Sequence, residues 1–235
     1  MMFYIFNRMK MKKIQMKNYN WGKLGLELLV VFLGVSSGFI LNNWREESQQ
    51  LKLEQKYISG FIADVEDTID ELSKLNKNDS LWILAANRNI SDLKARTLSK
   101  DSADALLKRI IQINKIEIKK GTYEDIINSG NLNLIRNFEL KGEIVDYGLA
   151  VQGVTFVDDY FHQFFNAYVM TFVFEEFDVI NGKIIDEKIY NTVAFSNIFG
   201  GYYSMVLQRN NAYKDLLQKS LEFRKHLLKE KEKFN

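Results

Sequence analysis

Hydrophobic positions along this chain follow three patterns. Residues 24–41 are apolar on every side, with Glu27 the single charge in 18 residues. As helix that stretch measures about 27 Å, against a hydrocarbon core of roughly 30 Å. Trp21 and Trp44 bracket it, where interfacial aromatic anchors sit. Past Trp44 the pattern changes. Ile58, Phe61, Val65, Leu72, Leu75, Trp82 and Leu93 recur at steps of three and four, with Thr68, Asp79, Ala86 and Asn89 filling the gaps. This predicts an amphipathic helix continuous with the apolar one. The polar intrusions favour one wall of a bundle over a pure coiled coil, and Lys77-Asn78-Asp79 is the expected place for an interruption.

Capping residues predict the elements that follow. Ser102 or Asp101 is expected to open a helix running to about Lys115. Thr122 is expected to cap a short helix with Glu124 and Asp125 in its first turn, ended by Gly130 at the position after the C-cap. Asn137 then caps a long helix reaching Phe177. Residues 179–185 place Asn181-Gly182 between β-branched residues, which predicts a hairpin with a two-residue turn joining two helices. A last helix is expected from about Thr192 to Lys233, kinked or split at Gly200-Gly201. Its lysine-rich end reads as a solvated face.

Residues 160–174 lack Asp, Glu, Lys and Arg and are strongly aromatic. They contain His162, Gln163 and Asn166, lie between acidic pairs, and are short for a bilayer. A buried bundle helix is the expectation. A helix dipping into the membrane interface is the main alternative, ahead of a second span.

Charge settles the reading of the first apolar run. Arg8, Lys10, Lys12, Lys13, Lys17 and Lys23 precede it with no acid among them. A core helix of a soluble protein does not explain that one-sided cluster. A cleaved secretion signal has a weak small-x-small site at Gly34-Val35-Ser36, but Phe39, Ile40 and Leu41 follow it and the run exceeds a typical signal core. An uncleaved anchor is expected, with residues 1–23 cytoplasmic and the rest outside by the positive-inside rule. Glu27, near the basic end, is expected to reach the headgroups or to pair with Lys23. Gly34 and Gly38, with Ser37 beside them, form a small-residue face able to pair two spans, although small residues are common in spans generally. Met9 and Met11 are alternative starts.

After residue 23 the chain is mildly acidic, so its overall formal charge of +2 is no nucleic-acid footprint. The chain has no cysteine, which excludes disulfides, thiolate metal sites and a cysteine nucleophile. It also has no proline. That suits long helices with few loops, although coding bias produces the same absence.

The stretch Glu27, Gly34, Asn42-Asn43-Trp44, Glu46 and Glu47 resembles the opening of a family of bacterial single-span membrane proteins of unknown function. A second stretch, with Tyr123, Ser129, Gly130, Leu134, Ile135, Asn137 and Leu140, is similar to a later motif of that family. Ser36-Ser37-Gly38 departs from it, since relatives are more aliphatic there. The resemblance covers roughly residues 21–147 well and the last third loosely. It implies membrane location and a helical outer domain, and brings no activity or site.

Candidate chemistry is sparse. Asp159 and His162 stand three apart, and Glu222 and His226 four apart. Di-metal bundles use Glu-x-x-His from two helices plus further glutamates. Here one pair uses Asp, the other has the wrong spacing, and His226 lies in a lysine-rich tail, so satisfied or solvated histidines are expected. Glu175-Glu176 point to different faces. No nucleophile elbow, zinc-protease helix or phosphate loop occurs, and Gly200-Gly201 does not make one. Phe161, Phe164, Phe165, Tyr168, Phe172 and Phe174 are expected in the core, with a ligand pocket as the alternative.

The sequence thus predicts an all-α protein: a basic cytoplasmic segment at 1–23, a transmembrane helix at 24–41, and an outward-facing helical bundle with one small hairpin at 42–235. The expected role is a membrane-anchored scaffold or interaction module of the bacterial inner membrane, single-pass, with its C-terminal domain periplasmic. The alternative is a ligand-binding sensor bundle built on the aromatic helix. Neither catalytic nor cofactor-binding nor metal residues are assigned, and no enzymatic activity is expected. The expected partners are the lipid bilayer, a second copy or another envelope protein, and not nucleic acid.

Overall fold

The computed structural model describes residues 21–111 and 114–234. The cluster Arg8, Lys10, Lys12, Lys13 and Lys17 and the alternative starts Met9 and Met11 lie outside the described residues. The chain divides into two units, one ending at Gln50 and one beginning at Leu51.

The first helix, α1 (Trp21–Ala95), belongs to both units. In the first unit its apolar side chains are exposed all round, from Leu26 to Leu41, as are Trp21 and Trp44. Its mean hydropathy reaches 2.2, and it is the one helix among the described residues long and apolar enough to cross a membrane. Glu27 makes no ion pair with Lys23; Ser37 donates to the Leu33 carbonyl at 2.7 Å. Gly34 and Gly38 face open space.

The second unit is an all-helical bundle with one small hairpin. Its elements are the rest of α1, α2 (Lys100–Ile110), α3 (Gly121–Asn128), α4 (Phe138–Phe164), a π-helical segment (Phe165–Met170), α5 (Thr171–Glu176), β1 (Phe177–Asp178), β2 (Lys183–Ile184) and α6 (Val193–Glu232). α1 is not interrupted at Lys77-Asn78-Asp79. Asp79 turns inward and is neutralised there, so the run of polar residues does not end the helix.

Two expected caps fall elsewhere. α2 is capped by Ser99, whose Oγ accepts from the Ser102 N–H, and its helix ends at Ile110. At α3 the Thr122 hydroxyl caps nothing. Its backbone N–H instead donates to the Asp64 carboxylate of α1 at 3.0 Å. An acceptor on a neighbouring helix thus satisfies an orphan first-turn donor. Gly130 follows α3 at φ 71°, a conformation that favours glycine. Asn137 caps α4 as expected, accepting from the N–H groups of Glu139 and Leu140. Its amide also donates to Glu230 at 2.8 Å, tying the start of α4 to the end of α6.

The hairpin pairs Phe177 with Ile184 and Asp178 with Lys183. Its connection is therefore four residues, Val179 to Gly182, rather than a two-residue Asn-Gly turn. A two-residue turn of that type needs positive φ at both positions. Gly182 has it (67°) and Asn181 does not. The Asp178 carboxylate accepts from the N–H groups of Ile180 and Asn181 and from the Asn181 amide, which winds the loop one residue pair wider.

α6 runs unbroken through Gly200-Gly201 from its cap at Thr192. Gly201 is needed for contact: a Cβ there would lie 2.6 Å from Cζ of Phe164. Residues 160–174 form a bundle wall, with Phe161, Phe165, Val169, Phe172 and Val173 buried.

The core has two apolar clusters. One joins Ile58–Leu75 of α1 with α3, the first part of α4 and the last part of α6. The other joins Trp82 and Ala86 with α2, the aromatic stretch, the hairpin and the first part of α6. Asp79 lies between Leu75 and Trp82, Asp158 between Val154 and Phe161, and Arg209 between Val206 and Tyr213. These three sit at the boundary between the clusters.

Candidate functional site: a buried charged layer and its cleft

Each of the three long helices puts one charged residue on its buried stripe at the same level. Arg209 is 4% exposed, Asp79 6% and Asp158 0%. Arg209 donates to Asp79 at two points, Nε to Oδ2 at 3.0 Å and Nη2 to Oδ1 at 2.6 Å. This fork geometry is among the stronger ion pairs. Its Nη1 lies 3.8 Å from Asp158, and its guanidinium carbon lies 3.7 Å from the centre of the Phe161 ring. Asp158 accepts from the Tyr213 hydroxyl at 2.5 Å and from the Ile116 N–H at 3.3 Å. Asn210 extends the layer by donating to the carbonyl and side chain of Asn76.

Burial governs the titration of this layer. It pushes Asp79 above the usual carboxylate value, with Arg209 opposing. Burial would lower Arg209, but the hydrogen bond and charge of Asp79 outweigh it and hold the guanidinium charged. Tyr213 and Tyr202 are both raised, chiefly by burial, and stay protonated. His162 is held below the ordinary histidine value by burial, while the Asp158 charge pulls the other way. Its Nε2 lies 3.5 Å from Asp158 without the alignment of a hydrogen bond.

A cleft of about 410 Å³ opens on this layer. Asp79 and Arg209 reach it from the inside, Trp82 and Tyr202 form its wall, and Asn78 and Arg109 stand at its rim. Two buried donors beside it, Trp82 Nε1–H and Arg209 Nη1–H, lack a hydrogen-bond acceptor among the described residues.

The pairings expected from spacing are redistributed. His162 faces Asp158 rather than Asp159, and Asp159 pairs with Lys115 at 3.0 Å. His226 pairs across helices with Glu143 at 2.8 Å, while Glu222 accepts from Gln218. Among the described residues no group of His, Asp and Glu is arranged to hold a metal ion. Phe161, Phe165 and Phe172 pack in the core, Phe164 lies on Gly201, Tyr168 and Phe174 are exposed, and none of the six lines the cleft beside Arg209. Arg209 and Asp158 were not among the sequence candidates. The available clue was a charge on a buried stripe: Val206, Arg209, Tyr213 and Leu216 follow steps of three and four.

The chain matches no protein-family model, no curated protein and no solved structure. No family membership is assigned, and the site stands on its own geometry.

Proposed function

We propose that this protein is a single-pass tether of a bacterial inner membrane, its N-terminus cytoplasmic and its helical unit periplasmic, acting as an interaction module rather than an enzyme. The apolar α1 segment and the basic residues before it support the tether. The resemblance around Asn42-Asn43-Trp44 supports a bacterial envelope. The observation that carries the interaction role is the hairpin end of the bundle. Phe174, Val179, Ile180 and Ile185 are exposed there, Ile180 at 96%, in a unit that has already filled two apolar cores. Apolar side chains gathered on a loop tip mark a contact surface. The partner is another envelope protein or a second copy.

The absence of native cysteine makes the test clean. Single cysteines replace exposed Ser73, exposed Ser204 and, separately, Asn18. Intact cells are treated with a membrane-impermeant maleimide. Labelling at Ser73→Cys and Ser204→Cys but not Asn18→Cys, with the protein retained in membranes, is expected; the inverse pattern overturns the orientation. A photo-crosslinking residue at Ile180 is expected to give one discrete adduct, whereas no adduct from Ile180 in intact cells counts against the interaction role.

A ligand-binding bundle is the second reading. The cleft beside Arg209 favours it; Phe161, Phe165 and Phe172 of the aromatic stretch, packed in the core, do not.

A further inference from the structure

The outer face of α4 carries a repeat that the bundle core does not use. Leu149, Gly153, Phe156, Tyr160 and Gln163 follow steps of four and three, and all five are exposed, Phe156 at 72%. The opposite face of the same helix, with Ile144, Val151, Val154 and Phe161, is buried in the bundle. Alternating steps of four and three average 3.5 residues, the period of a seam that stays in contact with a second helix. No seam position is charged. Of the positions beside the seam, Ala150, Gln152, Val157 and Asp159, only Asp159 is charged, and Lys115 pairs with it at 3.0 Å. The seam position before Leu149 is Asp146, which ends the uncharged stripe.

We propose that this stripe pairs, parallel and in register, with the same stripe of a second copy. Parallel pairing sets each seam position against its own twin. A twin therefore requires a seam without charge, and a polar member able to donate and accept at once. An unrelated partner would tolerate a charge here; a second copy does not. Gln163 meets the polar requirement, because its amide has both donors and an acceptor. Gly153 lets two backbones approach closely. Phe156 then enters the hole formed by Gly153, Phe156, Val157 and Tyr160 of the second copy. Gly153 and Val157 already line a groove of about 630 Å³ between α4 and α6, so the space for that ring exists. The seam is about 21 Å long and, with the flank of α6, about 20 Å wide. A face on the order of 400 Å² is about half of what each partner buries in a stable complex, so the dimer is weak and reversible. The surface is separate from the hairpin tip at Ile180, and the inference holds whichever side of the membrane the bundle occupies.

The cysteine-free chain allows direct crosslinking. Full-length Gly153→Cys and, separately, Gln163→Cys are expressed in cells, and the isolated membranes are oxidised with copper phenanthroline. A Cβ on Gly153 meets nothing within 4 Å and Gln163 is exposed, so both changes leave the core intact. Each is expected to give a disulfide-linked species of twice the chain mass, and Ser73→Cys, exposed on α1, is not. Phe156→Glu added to Gly153→Cys sets like charges across the seam and is expected to cut the dimer yield by about tenfold or more. Its helical circular dichroism is expected to match that of the parent, because Phe156 is a surface residue. Absence of the dimer from either seam cysteine overturns the proposal. So does an equal dimer yield from Ser73→Cys, an undiminished yield with Phe156→Glu, or a crosslinked species of another mass in place of the dimer. Cysteine labelling of orientation and the adduct at Ile180 are separate readouts, so a failure here is distinguishable from a failure of either.

Discussion

Arg209 grips Asp79 through two parallel hydrogen bonds at the boundary between the two apolar cores of the bundle. The pair crosses from α6 to α1, and Asp158 on α4 stands 3.8 Å from the same guanidinium. A buried charge is tolerated only while its partner is present. Arg209→Met therefore strands two carboxylates in the interior and is expected to cost about 3–5 kcal/mol. In a chain of this size that is a fall in Tm of about 6–20 °C. Asp79→Leu combined with Arg209→Met removes one of the two stranded carboxylates, leaves Asp158 to Tyr213 and Ile116, and is expected to melt above the single variant. A double variant no more stable than Arg209→Met would show that the pair is not what couples these positions. Circular dichroism melting in detergent ranks the three proteins.

Asp158 depends on a second helix contact. The Tyr213 hydroxyl donates to it at 2.5 Å, and Tyr213 is fully buried. Tyr213→Phe keeps the ring and removes only the donor, so the expected loss is that of one charged hydrogen bond, about 1.5–3 kcal/mol. Tyr147→Phe is the comparison. Its hydroxyl meets neutral hydroxyls, Ser220 at 3.2 Å and Thr68, and the expected loss is about 0.5–1.5 kcal/mol. Equal melting temperatures for the two variants would contradict a charged acceptor at Asp158.

The same layer sets a pH dependence. Burial holds the folded-state pKa of His162 below the ordinary value, with Arg209 and Lys115 reinforcing and Asp158 and Asp159 opposing. The unfolded chain thus takes up this proton first as pH falls. The stabilisation is complete above about pH 6.5 and is lost as pH falls through the folded value. Asp79 runs the other way: its raised pKa gives stability that is present at low pH and lost as pH rises. Its window begins at the ordinary carboxylate value, about 4, and extends upward from there. Between pH 7 and pH 5 the histidine effect should dominate, and Tm should fall. His162→Gln, neutral throughout, should flatten that fall. An unchanged slope in this variant would assign the dependence to another group.

The architecture was readable where it depends on local rules. The apolar stripe of α1, the cap at Asn137 and the left-handed Gly130 are properties of short windows, and each appears as expected. What was not readable depends on neighbours distant in sequence. Asp64 caps α3 across 58 positions, so the Thr122 hydroxyl supplies no cap. His162 chose Asp158 over Asp159 because burial, which no spacing rule contains, sets the direction each carboxylate faces. The hairpin turn is wider than Asn181-Gly182 alone predicts because the Asp178 side chain outcompetes their preference. The charged layer was visible only as polar residues interrupting three apolar stripes.

Gly200 and Gly201 are adjacent in α6 and have opposite structural roles. Gly200 faces open space, whereas a Cβ on Gly201 would meet the Phe164 ring at 2.6 and 3.0 Å. Within a helix interior alanine is better than glycine by roughly 0.5–1 kcal/mol, because glycine loses more backbone freedom on folding. Gly200→Ala is therefore expected to raise stability by about that amount. Gly201→Ala gains the same backbone term, but it must displace an aromatic ring that is wedged against α6, and overpacking of this kind costs about 1–3 kcal/mol. Its net effect is expected to be destabilising. Pairing Gly201→Ala with Phe164→Leu, which removes the ring edge, should recover part of the loss. If Gly201→Ala melts at or above the wild type, α4 and α6 do not approach each other through this glycine, and the tight helix contact at Phe164 is wrong.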